Sequence, residues 1–293
     1  MKSLLFNLFF CSALLAQVFT ETGRFKGQGK PFSHPQAIAL SVDGKLYVVD
    51  SGNNRIQIFD KRGQFLRTIG GFGFESDQFD NPTDIWTRSL INIYISDYNN
   101  RRIQRYDRRL NFISSLINNE ADDPDVQFEE TRSCALNSNN DLFILEHSEN
   151  KIIKINRRGE KERSFGSYES GDGELQEPQQ LDIAANRFLL VSDAGAKTVF
   201  VYDFFGNFIR RIESPQFVHP AGLCILEDGS FLLADSEANK LFSISPDFSA
   251  ITAISLKLSR PLTQLRDAAV FKTDKDTLLY LIDGDQVIIG NLR

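Results

Sequence analysis

The sequence predicts an all-β fold, a six-bladed β-propeller of four-stranded antiparallel blades. Three observations predict it: a repeat of regular spacing, strand-like periodicity within each repeat, and an apolar run in the second strand of each copy. Self-similarity at a period of about 20 to 50 residues is typical of propellers and other repeat architectures. Many short strands of even spacing favour the propeller among them.

The repeat is defined by a turn residue or threonine and an acid, fifteen positions apart in five segments. The pairs are Pro35 and Asp50, Pro82 and Asp97, Thr131 and Glu146, Pro178 and Asp193, and Pro220 and Asp235. The acids recur every 42 to 49 residues, and a sixth, looser copy ends at Asp283. The shared residues of a repeat are usually scaffold, so we look for a site where the copies differ.

The first unit, residues 35–70, has the pattern of four short strands. They are predicted at residues 38–40, 46–49, 56–59 and 65–69. Asp43-Gly44 is a hairpin signal between the first two strands, and Lys61-Arg62-Gly63 forms the turn between the last two. The second strands read LYVV, IYIS, LFIL, LLVS, FLLA and LYLI. Such runs indicate strands buried on both faces, as between neighbouring blades.

The acid that ends each second strand is predicted to be structural. In four units a basic residue follows five positions later, where a tight hairpin places it beside the acid, and in the fourth unit the lysine shifts to position 197. Each acid can then bind both the base and loop amides, and its recurrence argues against a catalytic role. The predicted structural set is Asp50, Arg55, Asp97, Arg102, Glu146, Lys151, Asp193, Asp235, Lys240 and Asp283.

The first unit, PQAIALSVDGKLYVVDSGNNRIQIFDKRGQFLRTIG, resembles the NHL repeat, which forms six-bladed β-propellers. The second unit resembles it through YISDYNNRRIQRYDRRLNF, and the resemblance extends from Pro35 to about Arg293. It implies the propeller fold and says little about activity, because one fold hosts many functions.

Ring closure is predicted to involve the N-terminal strand. The last unit supplies strands AAVF, LLYLID and QVIIGNL, and the sequence ends before a fourth. The segment VFTETGRFKGQGKPFSHP parallels the link FLRTIGGFGFESDQFDNP between the first two units. Residues 18–22 are therefore expected to complete the sixth blade, which removes unpaired strand edges.

Residues 1–16 have the layout of a secretory signal peptide, with one lysine, an apolar stretch and Ala16 at its end. We therefore expect an exported protein, periplasmic or secreted, with a propeller over residues 17–293 and no membrane span. Removal of Lys2 would change the net charge from -6 to about -7, which argues against nucleic-acid partners.

Cys134 and Cys224 lie in apolar runs and are expected to be buried free thiols.

The candidate binding site lies at the channel mouth. The loops that lead into first strands and those that leave second strands share one face in such propellers. The varied residues there are the predicted partner-binding set, namely Gln36, Asp84, Tyr98, Arg132, His147 and Gln179. We expect a protein partner, a monomer, and no cofactor or metal, with Tyr98 and Arg132 as the strongest anchors.

Two alternatives remain open. An exported metal-dependent lyase or lactonase would place its site at the same mouth, and His34, His147 and His219 all map to that face. In lyases that resemble this chain, zinc histidines follow the proline slot, which here holds Gln36, Thr83, Arg132, Gln179 and Ala221. Nucleic-acid binding is the weaker alternative. It would use Arg101, Arg102, Arg105, Arg108 and Arg109, a cluster that lies toward the outer edge and is accompanied by acids.

Overall fold

A computed structural model describes residues 17–118, 123–273 and 276–293. Within these residues the chain forms six antiparallel sheets, which confirms the all-β six-bladed propeller. The predicted signal peptide, residues 1–16, lies outside the described residues. No helix in the described part is long and apolar enough to cross a membrane.

The strands follow one another around the ring in chain order. The described residues begin with β1 (Val18–Phe25), and blade one holds β2 (Pro35–Leu40), β3 (Leu46–Asp50), β4 (Arg55–Phe59) and β5 (Phe65–Gly70). Blade two holds β6 (Pro82–Trp86), β7 (Asn92–Asp97), β8 (Arg102–Asp107) and β9 (Phe112–Ile117). Blade three holds β10 (Thr131–Leu136), β11 (Leu142–Glu146), β12 (Lys151–Ile155) and β13 (Lys161–Phe165).

The second half of the chain repeats this arrangement. Blade four holds β14 (Pro178–Ala184), β15 (Phe188–Asp193), β16 (Thr198–Tyr202) and β17 (Phe208–Glu213). Blade five holds β18 (Pro220–Ile225), β19 (Phe231–Asp235), β20 (Lys240–Ile244) and β21 (Ile251–Ala253). β22 (Ser255–Lys257) precedes blade six, which holds β23 (Leu265–Lys272), β24 (Thr277–Asp283) and β25 (Gln286–Leu292). Short 3-10 turns lie at Ser51–Asn53, Pro124–Val126 and Tyr168–Gly173.

The first strand of each blade lines the central channel. Neighbouring first strands contact one another in the order β2, β6, β10, β14, β18 and β23, and β23 contacts β2 again. This closed order places blade three opposite blade six, and blade one opposite blade four. The second strands lie behind them and are almost completely buried, as their apolar runs predict.

The N-terminal strand closes the ring, as predicted, and is longer than the predicted residues 18–22. β1 pairs antiparallel with β25 from Phe19 to Phe25, so it is the fourth strand of blade six. Phe19 is fully buried, and a Cβ atom on Gly290 would lie 2.3 Å from the Thr20 carbonyl oxygen. The close approach of β1 therefore requires glycine at position 290.

A short strand that the sequence did not reveal covers the outside of this closure. β22 pairs in parallel with β1, so that Ser255 to Lys257 lie beside Val18 to Thr20. Glu21 adds a polar link: it accepts hydrogen bonds from the backbone and side chain of Ser259 and forms an ion pair with Arg24 at 2.7 Å. The sixth sheet consequently has five strands and a covered outer edge.

The six repeated acids fix the segments that lead into the first strands. Each accepts a backbone N–H from a residue one or two positions before the first strand of its own blade, at 2.6 to 3.2 Å in every blade. The carboxylates themselves are almost completely buried. This common contact explains why the acid recurs and supports the scaffold interpretation.

The predicted pairing of acid and base is correct in two blades and wrong in two others. Asp50 binds Arg55 at 2.6 Å, and Asp97 binds the buried Arg102 at 2.7 Å. Lys151 pairs with Glu149 instead of Glu146. The Glu146 carboxylate accepts hydrogen bonds from the backbone amides of Ser148 and Glu149 and from the Ser148 hydroxyl.

The lysines that follow the acids of blades four and five, Lys197 and Lys240, do not pair with those acids either. Lys240 donates to Gln216 at 3.4 Å, while loop amides fill Asp235. Lys197 has a left-handed backbone conformation, with φ 54°, in the loop between the second and third strands of its blade. Asn54 and Asn150 have the same conformation in the corresponding loops of their blades. Cys134 and Cys224 are buried free thiols, as predicted.

Candidate functional site

A β-bulge recurs at the same place in all six blades. The register between the first and second strands shifts directly after the first residue of the first strand. The bulged residues are Gln36, Thr83, Arg132, Gln179, Ala221 and Arg266, which we call the bulge ring. Bulges of this kind redirect side chains, and these six residues all line the channel mouth. The bulge therefore turns a position that differs between the blades toward solvent at the axis.

The bulge ring surrounds a polar pocket of about 310 Å³. Residues of all six blades line it, including four of the six predicted site residues, Gln36, Asp84, Arg132 and Gln179. We use the name top face for the side of the ring that bears this pocket. It carries the loops that lead into first strands and those between second and third strands.

The floor of the pocket is a hydrogen-bonded layer of side chains one position deeper. Asp84 accepts from the Ser133 hydroxyl at 2.5 Å and from the Gln180 side-chain amide at 3.1 Å. Gln180 in turn accepts from the backbone N–H of Leu223, so blades two to five are joined at the axis. Asp267 closes the layer in blade six and accepts from the Ile38 N–H at 2.9 Å.

Burial shifts the floor carboxyls toward their neutral forms. Desolvation raises the pKa of Asp84 to about 6, opposed by its hydrogen bonds to Ser133 and Gln180. Desolvation also raises the pKa of Asp267 well above its ordinary value. No carboxylate of the described chain is within salt-bridge distance of either rim arginine, Arg132 or Arg266. The rim thus carries fixed positive charge above a floor that can take up protons.

Tyr98 and His147 lie beside the pocket on the top face and do not line it. The Tyr98 hydroxyl donates a hydrogen bond to the Glu130 carboxylate at 2.5 Å. The ring centroids of Tyr98 and His147 are 6.3 Å apart. Desolvation and the nearby Arg132 lower the pKa of His147, whose buried Nδ1 has no hydrogen-bond partner among the described residues. These two residues form a second polar patch next to Arg132.

The three histidines do not form a common site. His34 is exposed, while His219 lines the pocket and its Nδ1 lies 2.9 Å from the Ser236 hydroxyl. No group of three or more His, Cys, Asp or Glu side chains that could hold a metal ion is found among the described residues.

An ion pair crosses the opposite end of the channel. Arg88 of blade two binds Asp182 of blade four at 2.9 Å and donates to the Ile225 carbonyl of blade five at 3.0 Å. Asp182 therefore contributes to a contact across the lower end of the channel. A cavity of about 120 Å³ lies between this ion pair and the Asp84 layer.

The arginine cluster of blade two is largely engaged within the protein. Arg102 is buried against Asp97, Arg101 pairs with Glu129 at 3.1 Å, and Arg108 pairs with Asp43 at 2.6 Å. The charges of three of the five arginines are therefore matched by acids.

Two charged pocket residues of blade six escaped prediction from the sequence. Arg266 and Asp267 belong to the sixth copy, in which Leu265 replaces the usual proline. The fifteen-residue spacing does not hold there, because Leu265 and Asp283 are eighteen positions apart. In blade two, Thr83-Asp84 directly follow the first residue of the first strand, and Arg266-Asp267 do the same in blade six. A search for a polar residue followed by aspartate at this place would have found them.

Comparisons with known proteins agree with this architecture. A family model for the NHL repeat matches residues 32–59. The human E3 ubiquitin-protein ligase NHLRC1 is 26% identical over 106 residues, which cover 36% of this chain and 27% of the ligase. The Drosophila melanogaster protein brain tumor is 24% identical over 117 residues, or 39% of this chain and 11% of that protein. The chain thus matches only a small part of each relative's length.

Solved structures match over nearly the whole chain. A streptogramin B lyase superposes with a TM-score of 0.65 at 14% identity and covers 95% of this chain and 98% of the lyase. A Bacteroides thetaiotaomicron protein of unknown function superposes with a TM-score of 0.66 at 12% identity, and the match covers 95% of this chain and 76% of that protein. Likeness at this identity shows the fold alone. Together, the repeat match, the relatives and the closed ring show that the chain is a six-bladed β-propeller with an NHL repeat in its first blade.

Proposed function

We propose that this protein is a binding module that engages a protein partner through its top face. One observation carries the proposal: the same bulged position holds glutamine, threonine, arginine or alanine in different blades and always lines the mouth. The acid that ends each second strand, by contrast, is aspartate or glutamate in every blade. Recognition residues commonly vary on a rigid scaffold, whereas scaffold residues do not.

The relatives support a role with proteins. One of them is a ubiquitin-protein ligase by name, and such a protein acts on proteins. The bulge ring also offers the groups common in protein interfaces, namely arginine, amide side chains and, beside them, Tyr98. We propose that the module acts as a monomer without a catalytic step of its own.

We also propose that the protein is exported, on the basis of the apolar stretch and Ala16 at the N-terminus. The N-terminal sequence of the mature protein purified from its host would test this. A first residue near Gln17 supports export, and an intact Met1 contradicts it.

Site-specific photo-crosslinking tests the proposed surface. A photoreactive residue at Gln36 or Tyr98 reports on the top face. The same residue at Arg62 or Arg158, exposed in turns between third and fourth strands, reports on the opposite face and is the control. We expect protein adducts from the first pair in host extract, and far fewer from the second.

The outcomes separate the alternatives. Adducts that form only from Arg62 or Arg158 would place the interface on the opposite face and refute the proposal. Adducts to nucleic acid would favour the nucleic-acid alternative. A small product formed at the mouth would favour a lyase, the activity named for one structural neighbour.

A further inference from the structure

We infer that the channel-mouth pocket binds an acidic peptide segment, with one carboxylate on Arg132 and a second on Arg266. The inference rests on the proposed function and specifies the chemistry of the partner. Its basis is the position of these two arginines, their lack of an internal carboxylate partner, and the chemistry of the floor beneath them.

The two guanidinium groups project from opposite sides of the ring. Arg132 is in blade three and Arg266 in blade six, and the closed order of first strands makes these blades diametrically opposed. Both line the same 310 Å³ pocket. A ligand that contacts both must reach across the mouth, which a peptide segment with two carboxylates can do.

Each arginine is held in place by neutral acceptors. Arg132 donates through Nε to the Gln179 carbonyl at 3.3 Å and through Nη2 to the Gln179 side chain. Arg266 donates to the Gly284 carbonyl at 2.8 Å and to the Gln264 side chain at 2.6 Å. A guanidinium has five N–H donors, so each retains donors for a ligand, already oriented by these bonds.

Desolvation lowers the pKa of both half-buried arginines, and nearby acids, Glu177 for Arg132 and Asp285 for Arg266, offset this only in part. Arginine nevertheless remains protonated in proteins. The floor carboxyls of Asp84 and Asp267 differ, because they can become neutral by binding a proton. Once Asp84 and Asp267 are protonated, which for Asp84 requires a pH below about 6, the lining carries two arginines against the carboxylate of Glu177 and favours an anion.

Glu177 is the acid at the rim that opposes this binding. Its side chain is 51% exposed, and its carboxylate lies 3.9 Å from His219 Nε2, so it remains largely hydrated. An incoming carboxylate would be repelled by it. Glu177 thus provides a variant whose expected effect is opposite in sign to that of the arginine variants.

Fluorescence anisotropy with labelled peptides tests the inference on the full chain at low salt. The probes are an amide-capped Glu-Gly repeat, the matching amide-capped Gln-Gly repeat, and a Gln-Gly repeat with a free C-terminus. Hexauridylate is the phosphate probe. We expect the Glu-Gly peptide to bind and the capped Gln-Gly peptide not to bind. Binding of the free C-terminal peptide would show that a terminal carboxylate can occupy one of the two positions.

The variants assign the binding to the pocket. Arg132→Gln and Arg266→Gln should each weaken Glu-Gly binding by about tenfold or more, since each loses a charge-assisted contact. Arg158→Gln removes an equal charge on the opposite face and should change nothing. Glu177→Gln should tighten binding. Arg132→Lys keeps the charge and checks that the loss in the glutamine variant is not a folding defect.

Three results would overturn the inference: no Glu-Gly binding to the wild type, binding that Arg132→Gln and Arg266→Gln leave unchanged, or preference for hexauridylate over Glu-Gly at the same arginines. The proposed function fails separately. Top-face protein adducts without Glu-Gly binding refute only the acidic ligand, whereas Glu-Gly binding without top-face adducts refutes the proposed partner surface.

Discussion

At the residue scale, acids in this chain have two distinct tasks. The six repeated acids bind backbone amides and hold the leading segments of the blades. Asp84 and Asp267 instead lie in the channel, where no base pairs with them among the described residues. Sequence reasoning recognised the first group through its recurrence. It could not see the protonation of the second, because desolvation depends on neighbours from other blades.

Asp84 should make stability depend on pH. Its pKa is raised from 3.8 to about 6, so the folded state holds a proton that the unfolded state has released between these values. The stabilisation is complete below pH 3.8 and is lost as the pH rises through about 6. At about 1.4 kcal/mol per pKa unit, the loss is about 3 kcal/mol.

We therefore expect Asp84→Asn to be more stable than the wild type at pH 8, by up to about 3 kcal/mol, and nearly equal to it at pH 4. Urea unfolding at the two pH values measures this. Asp172→Asn, in an exposed turn, is the control for the loss of one charge. A variant less stable than the wild type at pH 8 would show that the hydrogen bonds of Asp84 outweigh its desolvation.

At the element scale, the structure is a repeat with one irregular member. Each first strand carries the same bulge, each second strand is buried, and each segment that leads into a first strand is held by an acid. Blade six differs because its fourth strand comes from the N-terminus. The shortage of strands in the last unit made this predictable. The bulges were not, since a one-residue register shift leaves no period in the sequence.

The closing strand should contribute strongly to stability. Phe19 is fully buried in a cluster with Leu292 and Leu241, so Phe19→Ala leaves a cavity where β1 joins the ring. We expect a loss of about 3 to 5 kcal/mol in the free energy of unfolding. Phe72→Ala removes a phenylalanine that is 73% exposed and should have little effect. Equal effects of the two substitutions on chemical unfolding would contradict closure by β1.

At the scale of the whole molecule, the fold separates a buried scaffold from a channel mouth whose residues differ between blades. The sequence predicted the scaffold in detail, because repetition makes each copy evidence for the others. It predicted the top face only in part: Gln36, Asp84, Arg132 and Gln179 line the pocket, whereas Tyr98 and His147 lie beside it. Arg266 and Asp267 were missed because blade six departs from the motif, and only ring closure brings them to the same mouth.

The central claim is that the bulge ring, and not the scaffold around it, recognises the partner. A variant with alanine at Gln36, Thr83, Arg132, Gln179 and Arg266 removes the ring while the buried strands remain. A second variant, with alanine at Arg62, Leu90 and Arg158, changes exposed residues of the opposite face. Both should keep the circular dichroism spectrum of the wild type.

The most direct measurement is the affinity of both variants for the partner identified by crosslinking at Gln36 or Tyr98. We predict that the bulge-ring variant binds it at least about a hundredfold more weakly, roughly 2.7 kcal/mol, and that the opposite-face variant binds like the wild type. Wild-type affinity of a folded bulge-ring variant would contradict the account.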